Sequence, residues 1–512
     1  MARVIVVGAG MGGMAAAARL RVKGHDVTVI EASDTHGGKL GTFRRDGFAF
    51  DTGPSLFTIP AIYRDLFLKT GGPLEDSVEL VPLDPGFSYR FADGSTLPMP
   101  GVGVGRGAAA MGDAFGGESA DQWRALMERA GRMWAATRRP FLESPLTGAR
   151  DLVPLARDLA AVRTVAPWQT LRSLGHGTLT DLRARQVFDR YATYSGSDPR
   201  RAPAVLATIP YVEATFGAWH IAGGLRVLGD ALRNRLDERG VDVRLSTPAT
   251  RILLSGDRVS GVEVAGGEVL PADVVVANAD ARHVYGELLG DRAPKDPVRR
   301  LSRATPSLSG FVLLLAVQGR TPGLRHNNVW FPREYDPEFD AIFGRRPEPV
   351  DDPTIYACVP DDPAMRPEDG EAWFILINAP RHSPGGQLPG TIDWDAPGLA
   401  DSYADKALAR LAERGTDLTG RVLWRELRTP ADLERATGAP GGAIYGTSSN
   451  GARAAFLRPQ NASPVPGLFL VGGSAHPGGG LPLVGMSAEI VANLVGRAVS
   501  RGTPVTGRGR RR

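Results

Sequence analysis

The feature that most constrains the fold is a glycine-rich turn near the N-terminus with an apolar run before it. Residues 4–7 (VIVV) form a short continuous apolar run, as expected of a parallel strand that is buried on both faces. Residues 8–13 (GAGMGG) follow at once and fit the pattern G-x-G-x-x-G. An Ala-rich segment at 11–22 predicts a helix, and residues 26–30 predict a second strand. This order predicts a βαβ unit that binds a dinucleotide.

Four residues of this unit have distinct physical roles in such a site. Gly8 allows a sharp turn off the strand, and Gly10 lets a pyrophosphate approach the backbone. Gly13 lets the helix pack close to the strand, so that the phosphates meet the positive end of the helix. Glu31 lies 18 residues after Gly13 and ends the second strand, where a carboxylate can bind ribose hydroxyls. A plain glycine turn would explain the glycines but not Glu31.

Composition limits the remaining classes of protein. The chain has 512 residues, of which 42% are hydrophobic and 23% charged, and this balance is typical of a globular protein of one large or two interleaved domains. The net charge of +4 does not indicate nucleic acid binding. Cys358 is the only cysteine, so intramolecular disulfides and cysteine metal clusters are excluded and a reducing cytoplasm is expected. No metal site is predicted. No apolar run reaches the ~18–20 residues that span a bilayer, so any membrane contact is expected to be peripheral.

The middle of the chain alternates between two patterns. Residues 88–91 and 96–99 predict a hairpin, and residues 101–107 are interpreted as a glycine-rich loop. Further strands are predicted at 311–317, 328–331, 355–359, 373–378 and 422–427, which would form a mixed sheet that walls a substrate cavity.

Residues 108–212 are helical and rich in Arg. Two interpretations remain open: a helical subdomain with a solvated Arg face, or a membrane-facing lid with Trp134, Phe141, Leu146 or Trp168 at the interface.

The N-terminal pattern resembles one superfamily of flavoproteins. Residues 37–40 (GGKL) follow Glu31 closely, and residues 51–55 (DTGPS) come next. This arrangement is similar to the flavin amine oxidase and carotenoid desaturase superfamily. The resemblance implies that Gly38 and Lys39 lie along the phosphates of FAD and that residues 51–55 approach the flavin. A second block at 222–279 resembles a later segment of the same FAD domain, in which the residues around Ala249 face the adenine.

The C-terminal block resembles the carotenoid desaturases, a family that includes phytoene desaturases and hydroxycarotenoid 3,4-desaturases. It consists of residues 458–461 (RPQN), a strand at 468–471, a loop at 472–482 (GGSAHPGGGLP) and a helix from about 483 to about 499. Such a helix N-terminus can stabilise negative charge on the reduced flavin. This chain has Gly473 where many relatives in the wider superfamily have an Asp that binds the ribitol, so backbone or Ser474 must serve here. The departure weakens an amine oxidase interpretation.

The resemblance implies a fold and a set of site residues. The predicted fold is α/β with an α+β insert: a Rossmann-type FAD domain interleaved with a mixed-sheet substrate domain and a helical lid. The FAD domain is predicted at 1–75, 216–290 and 458–502, the substrate hairpin at 76–107, the helical subdomain at 108–215, the rest of the substrate domain at 291–457 and a basic tail at 503–512. The predicted cofactor-binding residues are Gly8, Gly10, Met11, Gly12, Gly13, Glu31, Gly38, Lys39, Gly53, Pro54, Ser55, Ala249, Gly472, Gly473, Ser474, Leu483 and Val484.

His476 is the candidate catalytic residue, and three roles are open for it: an acid or base near the flavin, a packing residue that shapes the flavin pocket, or a plain loop residue. The second is favoured, because orienting a polyene across a flavin in a dry tunnel does not need a strong base.

The resemblance implies an FAD enzyme that desaturates an acyclic carotenoid, associates peripherally with the cytoplasmic face of a membrane, and passes electrons to oxygen or a quinone. Three further functions stay open: a carotenoid oxygenase or ketolase, a redox-neutral carotene isomerase, and a flavin- or lipid-binding module without turnover. The particular carotenoid, the number of double bonds, the acceptor and the oligomeric state are not determined by the sequence.

Overall fold

The computed structural model describes residues 1–146, 148, 151, 153, 157–451 and 454–498. The basic tail predicted at 503–512 lies outside these residues. None of the helices in the described part is both long enough and apolar enough to cross a membrane.

The structure contains both kinds of strand that the sequence predicts, those of a parallel sheet and those of a mixed sheet. In chain order the strands are β1 (Arg3–Val7), β2 (Asp26–Ile30), β3 (Thr42–Arg45), β4 (Phe48–Asp51), β5 (Phe57–Thr58), β6 (Leu80–Pro82), β7 (Phe87–Arg90), β8 (Thr96–Met99), β9 (Ala218–Ile221), β10 (Asp242–Arg244), β11 (Ala249–Ser255), β12 (Arg258–Val264), β13 (Val269–Pro271), β14 (Val274–Ala277), β15 (Ser309–Gln318), β16 (Asn327–Trp330), β17 (Ile355–Cys358), β18 (Gly370–Ala379), β19 (Arg381–His382), β20 (Thr391–Ile392), β21 (Val422–Arg428) and β22 (Leu468–Leu470).

The helices range from single turns to five turns. In chain order they are α1 (Met11–Val22), α2 (Ala61–Thr70), α3 (Val104–Phe115), α4 (Ser119–Thr137), α5 (Leu159–Val165), α6 (Leu171–His176), α7 (Leu182–Arg190), α8 (Thr208–Phe216), α9 (Arg226–Glu238), α10 (Ala281–His283), α11 (Lys295–Arg303), α12 (Asp336–Phe343), α13 (Leu399–Glu413), α14 (Pro430–Thr437), α15 (Ala454–Leu457) and α16 (Leu481–Val495).

A parallel sheet of five strands forms the centre of the first domain. Its order is β10-β2-β1-β14-β22, and every pair in it is parallel. Helix α1 packs against α9 and α16. The residues Ala15–Ala18 of α1 are completely buried, and their small side chains let the neighbouring elements approach closely. Strands from three distant parts of the sequence therefore build one sheet, as the interleaved FAD domain predicts.

A second sheet of seven strands carries the order β21-β15-β18-β17-β16-β7-β8. It is mixed, because β16 pairs with β7 in parallel and the other neighbours are antiparallel. One face packs under α13. The other, which we call the inner face, presents Tyr89, Leu314, Tyr356 and Phe374 to a core shared with the helical region. The predicted hairpin and mixed sheet are thus confirmed.

One local prediction was wrong. Helix α3 begins at Val104, so residues 104–107 are helical and only the start of 101–107 is loop. Gly107 and Ala108 of this helix are buried, and the local pattern of small residues does not show that packing. Strand β6 pairs with β9 in a small sheet that is separate from the sheet containing β7 and β8. Local periodicity carries no information about which strand is the partner.

Candidate functional site

Three backbone segments converge at the carboxyl end of the parallel sheet. The amide of Gly37 donates to the carbonyl of Ala9 at 2.8 Å, which joins the 37–39 turn to the N-terminal glycine loop. A Cβ on Gly38 would lie 3.2 Å from Gly10 Cα, and one on Gly12 would lie 2.9 Å from Gly472 Cα. Side chains at these positions would force the segments apart. Glycine is therefore required where the three backbones meet.

Asn278 occupies the centre of this convergence. It follows β14, and a Cβ on Gly8 or Gly10 would lie within 2.7 Å of its atoms. The side-chain amide of Asn278 is oriented so that both its oxygen and its nitrogen form hydrogen bonds. The oxygen accepts from the Gly10 N–H and the nitrogen donates to the Val471 carbonyl, both at 3.2 Å. Asn278 lies in the block at 222–279 that the sequence analysis identified, but the sequence did not indicate that its amide joins the N-terminal and C-terminal loops.

Glu31 lies beside the glycine loop and is half-buried. Its Oε2 accepts from the amide of Ala9 at 2.7 Å, and its Oε1 accepts from the amide of Ser33 at 2.9 Å. The Glu31 carbonyl accepts from the amide of Thr247 at 2.7 Å, which brings the segment leading to Ala249 to the same edge. A carboxylate fixed in this way is suited to accept hydrogen bonds from ribose hydroxyls.

Lys39 is a cation next to the convergence. Its Nζ donates to the carbonyls of Ala443 and Ile444, at 3.1 and 2.7 Å. The residue as a whole is exposed, and desolvation of its ammonium group lowers its pKa to about 8. A Cβ on Gly53 would lie 1.7 Å from the Lys39 carbonyl, so the 51–55 segment packs directly on the turn. A positive charge here fits the phosphates that the resemblance implies.

The 51–55 segment connects the two domains. The Oγ of Ser55 forms a hydrogen bond of 2.8 Å with Tyr356 Oη, and Tyr356 Oη donates to Asn327 Oδ1 at 2.8 Å. The carboxylate of Asp51 accepts from the amides of Leu225, at 2.8 Å, and Arg226, at 3.3 Å, where α9 begins. Burial raises the pKa of Asp51 to about 6. Asp51 thus holds a helix N-terminus, and Ser55 reaches the inner face of the second sheet through Tyr356.

Arg458, the first residue of the 458–461 segment, binds backbone carbonyls around the C-terminal loop. Its guanidinium donates to the carbonyls of Tyr445 at 3.2 Å, Gly473 at 3.0 Å and Thr447 at 2.5 Å. The side chain is buried, and this burial lowers its pKa to about 10. Arg458 therefore fixes the backbone of the C-terminal loop at Gly473.

Asn461 supports the same loop from the other side. Three acceptors lie within hydrogen-bond distance of its Nδ2 and share its two N–H groups: the carbonyls of Leu470 and His476, at 3.1 and 2.8 Å, and Ser487 Oγ, at 3.1 Å. Only 1% of Asn461 is exposed. The sequence identified this residue as part of a family pattern, and the structure gives the reason for it: one side-chain amide ties the last strand, the loop and α16 together.

His476 is buried in the loop and bound to the helical region. Its backbone amide donates to the Pro459 carbonyl at 2.9 Å, and its Nε2 lies 3.1 Å from the carbonyl of Ser144, so this nitrogen must carry the proton. The Phe141 ring meets the imidazole edge-on at 5.1 Å. Desolvation lowers the pKa of His476 to about 4. The imidazole is therefore neutral at pH 7.

The rest of the C-terminal site is formed by backbone and small side chains. Ser474 Oγ donates to the Ala279 carbonyl at 3.2 Å. Leu483 and Val484 lie half-buried in the first turn of α16, which begins at Leu481 and ends at Val495. A Cβ on Gly473 would lie 3.9 Å from Val484 Cγ2. The loop can thus offer backbone groups and a helix N-terminus to a ligand.

The structure brings the predicted cofactor residues to one edge of the parallel sheet. These residues lie in four segments: 8–31, 38–55, the segment leading to Ala249, and 472–484. Each segment is connected to another by the contacts given above. The individual binding roles stay predictions. The geometry defines an α/β protein with a glycine-rich loop at the edge of its parallel sheet and a second sheet beside that edge.

Comparisons with known proteins agree with this class. The model of the flavin containing amine oxidoreductase family matches residues 11–339. The chain is 32% identical to the 4,4'-diapolycopene oxygenase of Methylomonas sp, with 96% of this chain and 98% of that protein covered. It is 34% identical to the hydroxyneurosporene desaturase of Rubrivivax gelatinosus, with 96% and 93% covered. It is 30% identical to the 1-hydroxycarotenoid 3,4-desaturase of a Flavobacterium sp., with 97% and 99% covered.

Among solved structures, wild-type putrescine oxidase bound to putrescine matches with a TM-score of 0.63 at 16% identity, and 96% of this chain and 99% of that chain are covered. This likeness shows the fold.

The chain belongs to the flavin containing amine oxidoreductases, and within them to the carotenoid desaturase family. It is accordingly a flavin-dependent oxidoreductase of the carotenoid desaturase type.

Proposed function

We propose that this protein is an FAD-dependent desaturase that introduces conjugated C=C bonds into an acyclic carotenoid. The observation that carries the proposal is the convergence of the three glycine-rich segments beside the inner face of the second sheet. A cofactor lying along these segments would have its redox-active end at the apolar inner face. When bound, the flavin supplies a two-electron acceptor that takes a hydride from carbon.

The choice of FAD rests on the whole length of the site. Glu31 and the backbone leading to Ala249 are suited to the adenosine end, and Lys39 with Gly38 is suited to the phosphates. The C-terminal loop, with Gly473 and the start of α16, is suited to the flavin end. A mononucleotide would leave the Glu31 end of the site unused.

The inner face supplies what a polyene substrate needs, which is orientation in a dry space. Half-buried apolar side chains pack on this face and would line the path of the chain. These side chains are Phe43, Leu56, Tyr194, Leu376 and Trp424. Exclusion of water by such walls favours transfer of a hydride and prevents its loss to solvent.

His476 acts in this proposal as a positioning residue. Its Nε2–H is donated to the Ser144 carbonyl, and its low pKa keeps the ring neutral. The imidazole thereby anchors the loop to the helical region, which supports the packing role that the sequence favoured over an acid or base.

Contact with a membrane would deliver so apolar a substrate. Leu159 is the first residue of α5 and Trp168 follows the helix; they are 69% and 70% exposed, and Arg163 of the same helix is exposed as well. Apolar side chains next to a cation are typical of a surface that inserts into the lipid interface. We therefore extend the proposal to peripheral contact with the cytoplasmic face of a membrane, with oxygen or a membrane quinone as the electron acceptor.

A carotenoid oxygenase is the second candidate, and the full-length similarity to 4,4'-diapolycopene oxygenase favours it over an isomerase or a binding module without turnover. The oxygenase and desaturase reactions differ in the mass of the product. A desaturase removes two hydrogens for each double bond, and an oxygenase adds oxygen.

The test is pigment analysis in a host that makes phytoene and its partly desaturated products, with and without this gene. We expect pigments that absorb at longer wavelength and are lighter by two hydrogens per step. Products heavier by oxygen would establish the oxygenase, and products of unchanged mass would establish an isomerase. An unchanged profile with flavin bound to the purified protein would remove the carotenoid assignment.

A further inference from the structure

A buried arginine lies beside the apolar space that the proposed reaction needs. Arg190 ends α7 and is 7% exposed. Its guanidinium lies over the rings of Phe87, Tyr194 and Tyr356, at 5.2, 5.2 and 5.5 Å from their centroids. The Tyr89 ring is 6.0 Å away. We call this set of four rings the aromatic cage.

The charge of Arg190 is only indirectly compensated. In the part of the chain that the structure describes, its side chain makes one hydrogen bond, from Nη1 to Tyr194 Oη at 3.1 Å. Tyr194 Oη and Tyr191 Oη donate in turn to the two carboxylate oxygens of Glu213, at 3.2 and 2.6 Å. No carboxylate oxygen of the described residues forms an ion pair with Arg190 itself.

Most donors of Arg190 have no acceptor among the described residues. A guanidinium has five N–H groups, and one of these forms the hydrogen bond to Tyr194. The side chain is not completely enclosed, since 7% of Arg190 is exposed. A cation held in a ring cage with open donors is arranged to receive a hydrogen-bond acceptor.

The cage is adjacent to the predicted flavin end of the site. The hydroxyl of Tyr356, whose ring lies under Arg190, bonds to Ser55 in the segment expected to approach the flavin. Arg190 is therefore close to the place where the reacting bond of a substrate would lie.

A purely hydrocarbon substrate would gain nothing from this arrangement. A hydrocarbon polyene has no lone pair that could accept a hydrogen bond from the guanidinium. The cation is better explained by an oxygen atom on the substrate. In a 1-hydroxycarotenoid that is desaturated between C3 and C4, the carbon that bears the hydroxyl is only two bonds from the reacting C3, so the hydroxyl must lie close to the flavin.

We propose that Arg190 recognises an oxygen substituent near the end of the acyclic carotenoid and makes the enzyme selective for oxygen-bearing chains over the parent hydrocarbons. This inference rests on the proposed function and names its substrate class. Tyr194 and Glu213 act as positioning residues that hold the guanidinium in the aromatic cage. The acceptor on the substrate is a hydroxyl or a carbonyl oxygen.

The experiment compares hydroxyneurosporene with neurosporene, each in phosphatidylcholine vesicles, for the flavin-loaded wild type and three variants. We expect the wild type to prefer hydroxyneurosporene about tenfold or more in kcat/KM, mainly through KM. Arg190→Gln should reduce this preference to within about twofold, and Arg190→Lys should retain part of it. Arg183→Gln is the matched control, because Arg183 lies on the same helix and pairs with Asp181 instead.

A carotenoid with a terminal carbonyl is tested in the same assay, to show whether the oxygen that Arg190 recognises is a hydroxyl or a carbonyl. Binding is measured in parallel on the anaerobic, reduced enzyme by quenching of tryptophan fluorescence. This readout reports the preference even if neither carotenoid is converted, which would be a failure of the proposed function alone. Equal binding of the two carotenoids by the wild type, or a preference that persists in Arg190→Gln, would overturn the inference. If Arg190→Gln does not retain flavin, the wild-type comparison decides.

Discussion

The side chain of Asn461 offers the sharpest test of how the C-terminal loop is held. Asn461→Asp keeps the size of the side chain but replaces the Nδ2 group by an oxygen. The carbonyls of Leu470 and His476 then lose their donor and face a carboxyl oxygen instead. Each buried acceptor left without a partner costs about 1–3 kcal/mol, so the two together cost about 2–6 kcal/mol. That is a large share of the ~5–15 kcal/mol that stabilises a typical domain.

Asn493→Asp is the matched control, since Asn493 is exposed on α16, the helix that Asn461 contacts through Ser487, and accepts a hydrogen bond from Lys23 Nζ. We expect this variant to change the free energy of unfolding by less than about 0.5 kcal/mol. The measurements are the urea midpoint and the ratio of bound flavin to protein after purification. Asn461→Asp should lower both. If it retained flavin and unfolded at the same urea concentration as Asn493→Asp, then Asn461 would not hold the loop and our explanation of the 458–461 pattern would be refuted.

Three further predictions follow from the buried charges and the loop. Arg458→Gln should lower flavin retention, because the carbonyl of Gly473 loses its charged donor; absorbance at 450 nm relative to 280 nm measures this, and unchanged retention would contradict it. His476→Gln should keep most of kcat if the residue only anchors Ser144, whereas a loss of a thousandfold or more would indicate direct chemistry. The depressed pKa of His476, about 4, means that below about pH 6.5 the folded state binds fewer protons than the unfolded state. The neutral ring therefore contributes stability above about pH 6.5, and this contribution is lost as the pH falls toward 4. Urea midpoints at pH 7.5 and pH 5 should accordingly differ less in His476→Gln than in the wild type. Lys39→Met should weaken the rebinding of FAD to the apoprotein at pH 7. In the wild type we expect affinity to fall further above pH 8, because the Lys39 ammonium loses its proton there, and the variant should lack this further loss. Titration of flavin fluorescence at several pH values measures both effects, and a wild-type affinity that stays constant through pH 9 would contradict them.

Several elements could be predicted because their signal is local. The strand at residues 26–30 and helix α1 were predicted with the bounds that the structure has. A buried parallel strand shows as a continuous apolar run, and the Ala-rich run after the glycines can only be a closely packed helix. The C-terminal helix was predicted to begin near 483 and end near 499, whereas it spans Leu481–Val495. Helix ends depend on caps and neighbours, and a pattern locates them only within a few residues.

The contacts that organise the site could not be predicted in this way. Asn278 joins loops at Gly10 and Val471, and Arg190 lies over the rings of Phe87 and Tyr356, all far away in the sequence. Arg458 was part of a predicted pattern, but the pattern did not show which carbonyls it binds. The pairing of β6 with β9 is of the same kind. Each depends on which backbone carbonyls and rings the folded chain brings within hydrogen-bond distance.

The sequence by itself therefore determined the dinucleotide unit, the order of the interleaved segments and the family to which the two terminal blocks point. These depend on residue types at fixed spacing, such as glycines where two backbones meet and an acid at the end of a strand. Only the tertiary structure decided that Asn461 and Arg458 hold the C-terminal loop, that His476 is neutral and bound to Ser144, and that Arg190 stands in the aromatic cage. Desolvation and long-range hydrogen bonds fix these properties, and both exist only after distant parts of the chain have packed together.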